Sequence, residues 1–244
     1  EKELIPLLDS FSDRIRKSNV FERIAYYYES AGLYDQAIQH YLMAVEEILP
    51  TNRAELISDL YRSLSQVHRL FKDYDKAVFY GKKSFEAVEF EGEKFLTYKS
   101  RALNIIGAAF SEMKVPDSTV YYYNRVLEFI PALDSMTVAP TIVNAGYAYL
   151  LKGDIEKARD YTNAGLRLYE KSDNDYAKAV IYINLGMIEN AAKEYPLALA
   201  LLDSGIVYTE KSQYAELYTW IYDEQSKIFK ATGNYPKAIS SMEN

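Results

Sequence analysis

Asn144 and Asn184 stand forty residues apart in matching contexts, Val143-Asn144-Ala145-Gly146 and Ile183-Asn184-Leu185-Gly186. A primary amide offers two donors and an acceptor, so amides repeated at a fixed interval can hold an extended peptide backbone without reading its side chains. The same amide inside a helix can instead bond a neighbouring helix end or water. Arg62 and Arg101 carry guanidinium groups suited to a carboxylate, or to a solvated face. Tyr26, Tyr147 and Trp220 are aromatic side chains of the kind that anchor interfaces.

Catalytic chemistry finds little material. His40 and His68 lie far apart in the chain with no nucleophile paired to either. His68 is expected on an inner packing face and His40 on the surface. There is no Gly-rich phosphate loop and no HExxH motif, and the chain has 0 cysteines. The acidic residues scatter over helix surfaces, with Glu46, Glu47, Glu89, Glu91 and Glu93 reading as solvated charge. The expectation is a protein without catalytic activity, cofactor or metal site.

What positions these residues is a repeat. Ala37, Ala77, Thr119, Ala158, Ala198 and Ala238 form one ladder of small residues, with steps of about forty. Ala25, Ser65, Gly107, Gly146, Gly186 and Ser226 form a second, with each member twelve residues before its partner. Two small positions locked together and recurring along the chain describe an array of one structural unit sharing a continuous core. In the fourth unit Ile142, Ala145, Gly146 and Tyr149 fall at i, i+3, i+4 and i+7, one face of a helix. Gly153-Asp154 breaks that helix, and Ala158, Tyr161, Gly165 and Leu168 mark the inner face of a second. Gly146 and Ala158 are the points where the two helices can approach closely. Pro116, Pro196 and Pro236 suit the first turn of second helices, where a missing N–H costs nothing.

These residues resemble the tetratricopeptide repeat. Gly32-Leu33-Tyr34-Asp35-Gln36-Ala37 and Gly233-Asn234-Tyr235-Pro236-Lys237-Ala238 carry its turn motif. Asp73-Tyr74-Asp75-Lys76-Ala77 and Lys193-Glu194-Tyr195-Pro196-Leu197-Ala198 carry it with the Gly replaced, and Pro131 ends the third unit in the family's position. The resemblance covers about residues 18–244. The period departs from the basic 34 residues and is similar to a longer-repeat branch that includes bacterial peptide-sensing receptors, kinesin light chains and polarity adaptors. The implied fold is all-α: a right-handed α-solenoid of about six helix–turn–helix repeats plus an N-terminal helix. The implied layout is one solenoid over 1–244. It has a leading helix at 1–17, repeats at 18–57, 58–99, 100–138, 139–178 and 179–218, and a truncated repeat at 219–244. Leu4, Leu7, Leu8, Phe11 and Ile15 give the leading segment its helical spacing.

The resemblance also implies a concave groove lined by the first helix of each unit. Its groove-facing positions lie two or three before the small residue, one, four and five after it, and six before it. They select Arg62, Ser63 and Gln66; Arg101, Asn104 and Ala108; Val143, Asn144 and Tyr147; and Ile183, Asn184 and Met187. Relatives in the longer-repeat branch hold peptide backbones with such Asn residues. The expected partner is a peptide or protein in this groove, with Arg62, Gln66, Arg101, Asn104, Asn144, Tyr147, Asn184 and Met187 as the binding set. The paired-cation clamp of chaperone-binding members is not reproduced, which argues against chaperone-tail binding. Most of the 24 tyrosines have core or turn roles: Tyr34, Tyr74, Tyr195 and Tyr235 at the turn, Tyr28 and Tyr149 on inner faces, Tyr41 and Tyr123 within second helices.

A net charge of −7 gives no basic footprint for phosphate backbones, so direct nucleic-acid binding by this segment is not expected. No run approaches the roughly 18 apolar residues of a membrane span. The Cys count fits cytoplasm and bacterial periplasm equally. The Tyr-rich units and the turn Asp117-Ser118-Thr119-Val120-Tyr121-Tyr122-Tyr123 look like extracytoplasmic portions of Bacteroidetes membrane-bound transcriptional regulators and sensor kinases. In that reading the segment senses a ligand for a fused output domain; the alternative is a structural scaffold or adaptor. The chain opens at Glu1 and stops at Asn244, a few residues into a helix expected from Pro236, which reads as an excised piece of a longer protein. A hydrophobic face exposed there would let copies pair as homodimers.

Overall fold

The computed structural model describes residues 13–88, 95–129 and 135–243. Leu4, Leu7, Leu8, Phe11, Glu89, Glu91, Glu93 and Pro131 lie outside them. The chain divides into two compact units, residues 1–133 and 134–244. The described residues of the first hold three helix pairs: α1 (Arg14–Ser30) with α2 (Tyr34–Ile48), α3 (Ala54–Leu70) with α4 (Tyr74–Ala87), and α5 (Leu96–Glu112) with α6 (Pro116–Leu127). A short 3-10 turn, Leu49–Thr51, follows α2. The second unit holds α7 (Ser135–Lys152) with α8 (Ile155–Tyr169), α9 (Asp175–Ala191) with α10 (Tyr195–Ser212), and α11 (Glu216–Ala231) with α12 (Tyr235–Glu243). The fold is all-α, a stack of helix pairs within each unit, as an α-solenoid requires.

Each first helix begins three or four residues ahead of the repeat start read from sequence. Asp13 caps α1 by accepting from the backbone N–H of Ile15 and Arg16 at 3.0 and 3.2 Å. Ile15 therefore belongs to the first helix of the first pair and not to a separate leading helix. First helices of 16 to 18 residues account for the long period.

The two small-residue ladders meet as expected. Ser65 Oγ donates to the Ala77 carbonyl at 2.7 Å, and Ser226 Oγ to the Ala238 carbonyl at 3.2 Å. A Cβ on Gly186 would lie 3.3 Å from the Ala198 carbonyl oxygen, and one on Gly146 3.2 Å from that of Ala158. In the third pair the approach is filled differently: a Cβ on Gly107 would run into the Tyr123 ring. The helices of a pair also touch at a second place. Ser18 Oγ donates to the Ala44 carbonyl at 2.9 Å, and Ser58 and Ser84 exchange hydroxyl-to-carbonyl bonds of 2.9 and 2.8 Å. Ala139 with Gly165 and Ala179 with Gly205 occupy the same places, again twenty-six residues apart.

Each pair turns through the same geometry. The second residue before each second helix is left-handed in all six pairs: Gly32, Gly153 and Gly233, but Lys72, Lys114 and Lys193 in the others. The next residue's N–H reaches back across the last turn, as in Leu33 to Tyr28 at 2.8 Å and Glu194 to Glu189 at 2.8 Å, closing a Schellman motif. A side chain at positive φ costs about 1–2 kcal/mol, part of which glycine's entropy cancels. Lys193→Gly is therefore expected to stabilise the fold by about 0.5–1 kcal/mol. Gly153→Ala, where no atom lies within 4 Å of the new Cβ, should destabilise by about the same amount. Chemical denaturation of both variants checks the sign.

Candidate functional site

In the first unit, α1 and α3 turn one face toward a cleft of about 530 Å³. Arg62, Ser63 and Gln66 line it from α3, so two residues of the expected set stand together. Glu22, Arg23, Tyr26, Tyr27 and Glu29 line it from α1, and Tyr41 closes it from α2. Tyr26 and Tyr27 are 62% and 68% exposed. The Tyr41 ring is buried as expected of a core residue, but its hydroxyl donates to Glu29 Oε2 at 2.7 Å. Burial and the Glu29 carboxylate push that hydroxyl well above the usual tyrosine range.

Charge inside the cleft is largely arranged within the protein. Arg62 Nε lies 3.4 Å from Asp59 Oδ1, one turn away on α3, so a carboxylate already faces the guanidinium expected to receive one. Gln66 Oε1 accepts from Arg69 Nε and Nη2 at 3.3 and 3.1 Å. Glu22 is half-buried, and burial raises its pKa, the nearby Asp59 charge adding to the effect and Arg62 opposing it. Arg101 is exposed and Asn104 half-buried on α5; neither lines this cleft.

In the second unit, Asn144 and Tyr147 on α7 are half-buried, Asn184 on α9 is 7% exposed, and Met187 is half-buried. Neither amide hydrogen-bonds to another described side chain or backbone group. Burial raises the Tyr147 hydroxyl pKa, against the pull of Lys227 and with the push of Glu224. Trp220 on α11 is 51% exposed. Val143 and Ile183, expected to face the groove beside these amides, are instead core. Val143 is 5% exposed and lies over Gly165, and Ile183 is fully buried over Gly205. A glycine opposite leaves room for a branched side chain to turn inward.

Both histidines are structural. His68 is buried as expected, stacked on Tyr80 at 5.2 Å, with Nδ1 3.6 Å from Asp73 Oδ2. Burial lowers its pKa against the pull of Asp73. His40, expected at the surface, is 6% exposed; its ring meets Tyr28 at 5.2 Å and its Nδ1 is 2.8 Å from the Gln36 carbonyl. One turn of helix brings that carbonyl to the ring, which satisfies the buried nitrogen locally.

Polar ties between neighbouring pairs were not anticipated. Arg159 on α8 donates to both oxygens of Glu189 on α9 at 2.8 Å, although Glu189 is only 4% exposed. Asn190 donates to Glu224 on α11 at 2.6 Å, and Lys227 reaches Glu224 and Asp223 at 2.9 and 2.8 Å. Burial pulls the Lys227 pKa down, but these two carboxylates outweigh it and hold it above its usual value. In the first unit Arg69 on α3 pairs with Glu112 on α5. Among the described residues no three His, Asp or Glu side chains are grouped to hold a metal ion, and no helix is long and apolar enough to cross a membrane.

Antiparallel helix pairs, stacked within each unit and joined by one repeated turn, define a helical-repeat protein. One pair of that stack, residues 139–172, spanning most of α7 and all of α8, matches the family model described as tetratricopeptide repeat. No curated protein matches the sequence. Solved structures of similar fold include BtubC (BKLC) from P. vanneervenii, at 15% identity and TM-score 0.70 over 86% of this chain and 88% of that one. The apo form of RapI aligns at 14% identity and TM-score 0.74 over 93% and 95%. A Rap protein complexed with Competence and Sporulation Factor aligns at 14% identity and TM-score 0.71 over 99% and 77%. At these identities the likeness is one of fold.

Proposed function

We propose that this chain is a peptide- or protein-binding module, with the inner sides of its first helices as the binding surfaces. In the second unit the contacts are Asn144, Tyr147, Asn184 and Met187; in the first they are Arg62, Gln66, Arg101 and Asn104. The observation that carries the reading is the pair of amides at Asn144 and Asn184. A helix-interior Asn that served the fold would bond a neighbouring helix end, and these two bond no other described residue. An amide kept in a half-buried to buried place without such a bond forgoes about 1 kcal/mol or more, which a ligand backbone can restore. The similar fold of a Rap protein complexed with Competence and Sporulation Factor supports a ligand-holding use of such stacks. In the finer form of this reading the segment is the sensing part of a transcriptional regulator, supported by the Tyr-rich style of its units.

A library of random seven-residue peptides, displayed and panned on the protein, supplies the probe. Enriched peptides should bind Asn144→Ala/Asn184→Ala about tenfold or more weakly, as two lost amide contacts require, while the melting temperature holds. Undiminished binding by the double variant would remove these amides from the site. Failure of any peptide to enrich would remove the module reading itself.

A further inference from the structure

The first-unit cleft differs in chemistry from an amide-lined peptide groove. It is lined by the exposed Tyr26 and Tyr27, by Tyr41, and by the carboxylates of Glu22 and Glu29. Arg23 and Arg62 also line it: Arg62 acts on Glu22 but is engaged by Asp59 at 3.4 Å, and Arg23 is exposed. Glu29 accepts from the Tyr41 hydroxyl at 2.7 Å, which leaves its other oxygen open to a second donor. Glu22 has no hydrogen bond or ion pair with a described residue, and it shares its surroundings with the Asp59 charge.

We propose that this cleft is a cation subsite, which takes the guanidinium or ammonium side chain of a basic residue in a bound peptide between the Tyr26 and Tyr27 rings and the Glu22 and Glu29 carboxylates. The proposal rests on the peptide-binding reading and names the side chain that the first unit selects. Tyrosine faces attract a cation held within about 6 Å of the ring centre. Carboxylates then supply charge-assisted acceptors that are stronger than neutral ones. Burial and Asp59 disfavour the Glu22 charge more than Arg62 favours it, and an incoming cation adds to the favourable side. A cleft of about 530 Å³ has ample room for one such side chain and the backbone that carries it.

The peptides enriched on the wild-type protein are sequenced, and one carrying Arg or Lys is compared with its Arg→Ala or Lys→Ala counterpart by fluorescence anisotropy. On the wild type the alanine peptide should bind about tenfold more weakly, the loss of one charge-assisted contact. On Glu22→Gln, which keeps the side-chain volume, the same change should cost less than about twofold, because the charge it served is gone. Tyr26→Ser, at an exposed position, provides a second variant and should weaken the basic peptide alone. Enrichment of peptides without Arg or Lys, or an equal alanine cost on wild type and Glu22→Gln, overturns the cation subsite and leaves the binding module standing. Failure of any peptide to enrich overturns the module and this inference with it.

Discussion

Gly146→Ala will destabilise the second unit by about 2–3 kcal/mol, read as a lowered denaturation midpoint, although alanine is the better helix former by about 1 kcal/mol. The new Cβ would overlap Thr162 Oγ1 and sit 3.0 Å from the Thr162 backbone nitrogen. Thr162 cannot swing aside: it is fully buried and its hydroxyl donates to the Ala158 carbonyl at 2.7 Å. The helices α7 and α8 must therefore separate, and every contact along their shared face loosens with them. Gly205→Ala is the control. Its Cβ would meet Ile183 Cγ1 at 3.3 Å and Ile221 Cδ1 at 3.6 Å, contacts that a shift of a few tenths of an ångström relieves, so helix propensity and mild crowding nearly cancel. A stability within about 1 kcal/mol of wild type is expected there. Equal losses at the two glycines would show that the close approach is not what the small-residue ladder serves.

That ladder was open to reading from the chain because it is a covalent spacing: a residue and its partner twelve positions on must meet when one helix folds back on the other. The second meeting place, twenty-six positions apart, obeys the same rule in Ser18 with Ala44, Ser58 with Ser84, and Ala179 with Gly205. It is faint in the sequence because its members vary between Ala, Ser, Gly and Val, and the hydroxyl-to-carbonyl bonds show that they touch. The cleft was partly legible. Repeat position selects Arg62, Gln66 and Tyr26, and the same positions counted from Ala25 reach Glu22 three before it and Glu29 four after it; the Tyr41 hydroxyl, on a second helix, falls outside that rule. Its meeting with them depends on how α1, α2 and α3 converge, which no periodicity along one helix encodes. Asp59 stands one turn before Arg62, a spacing at which a carboxylate of the same helix competes with an external one.

The placement of Ile183 carries the other large effect. Read by repeat position it belongs beside Asn184 in the groove, and its loss would then weaken a partner and leave the fold intact. The structure gives the opposite expectation. Ile183 is fully buried, in a cluster with Leu202, Leu217 and Ile221, and it stands over Gly205. Ile183→Ala should cost about 3–4 kcal/mol, the transfer of the lost methyl groups plus the cavity they leave. Val143→Ala, one repeat earlier over Gly165, should cost about 1–2 kcal/mol for its smaller side chain. Met187→Ala removes a half-buried side chain at the groove-facing position and should cost about 1 kcal/mol. The pattern behind these values lies in the paired helix. Where it carries glycine, at Gly165 and Gly205, the residue twenty-two positions earlier is apolar and buried. Where it carries Ala44 or Ser84, that residue is Glu22 or Arg62 and lines the cleft. One small-residue choice on the second helix thus sets whether the first helix spends this position on core or on binding chemistry. A denaturation midpoint for Ile183→Ala indistinguishable from wild type would break that link.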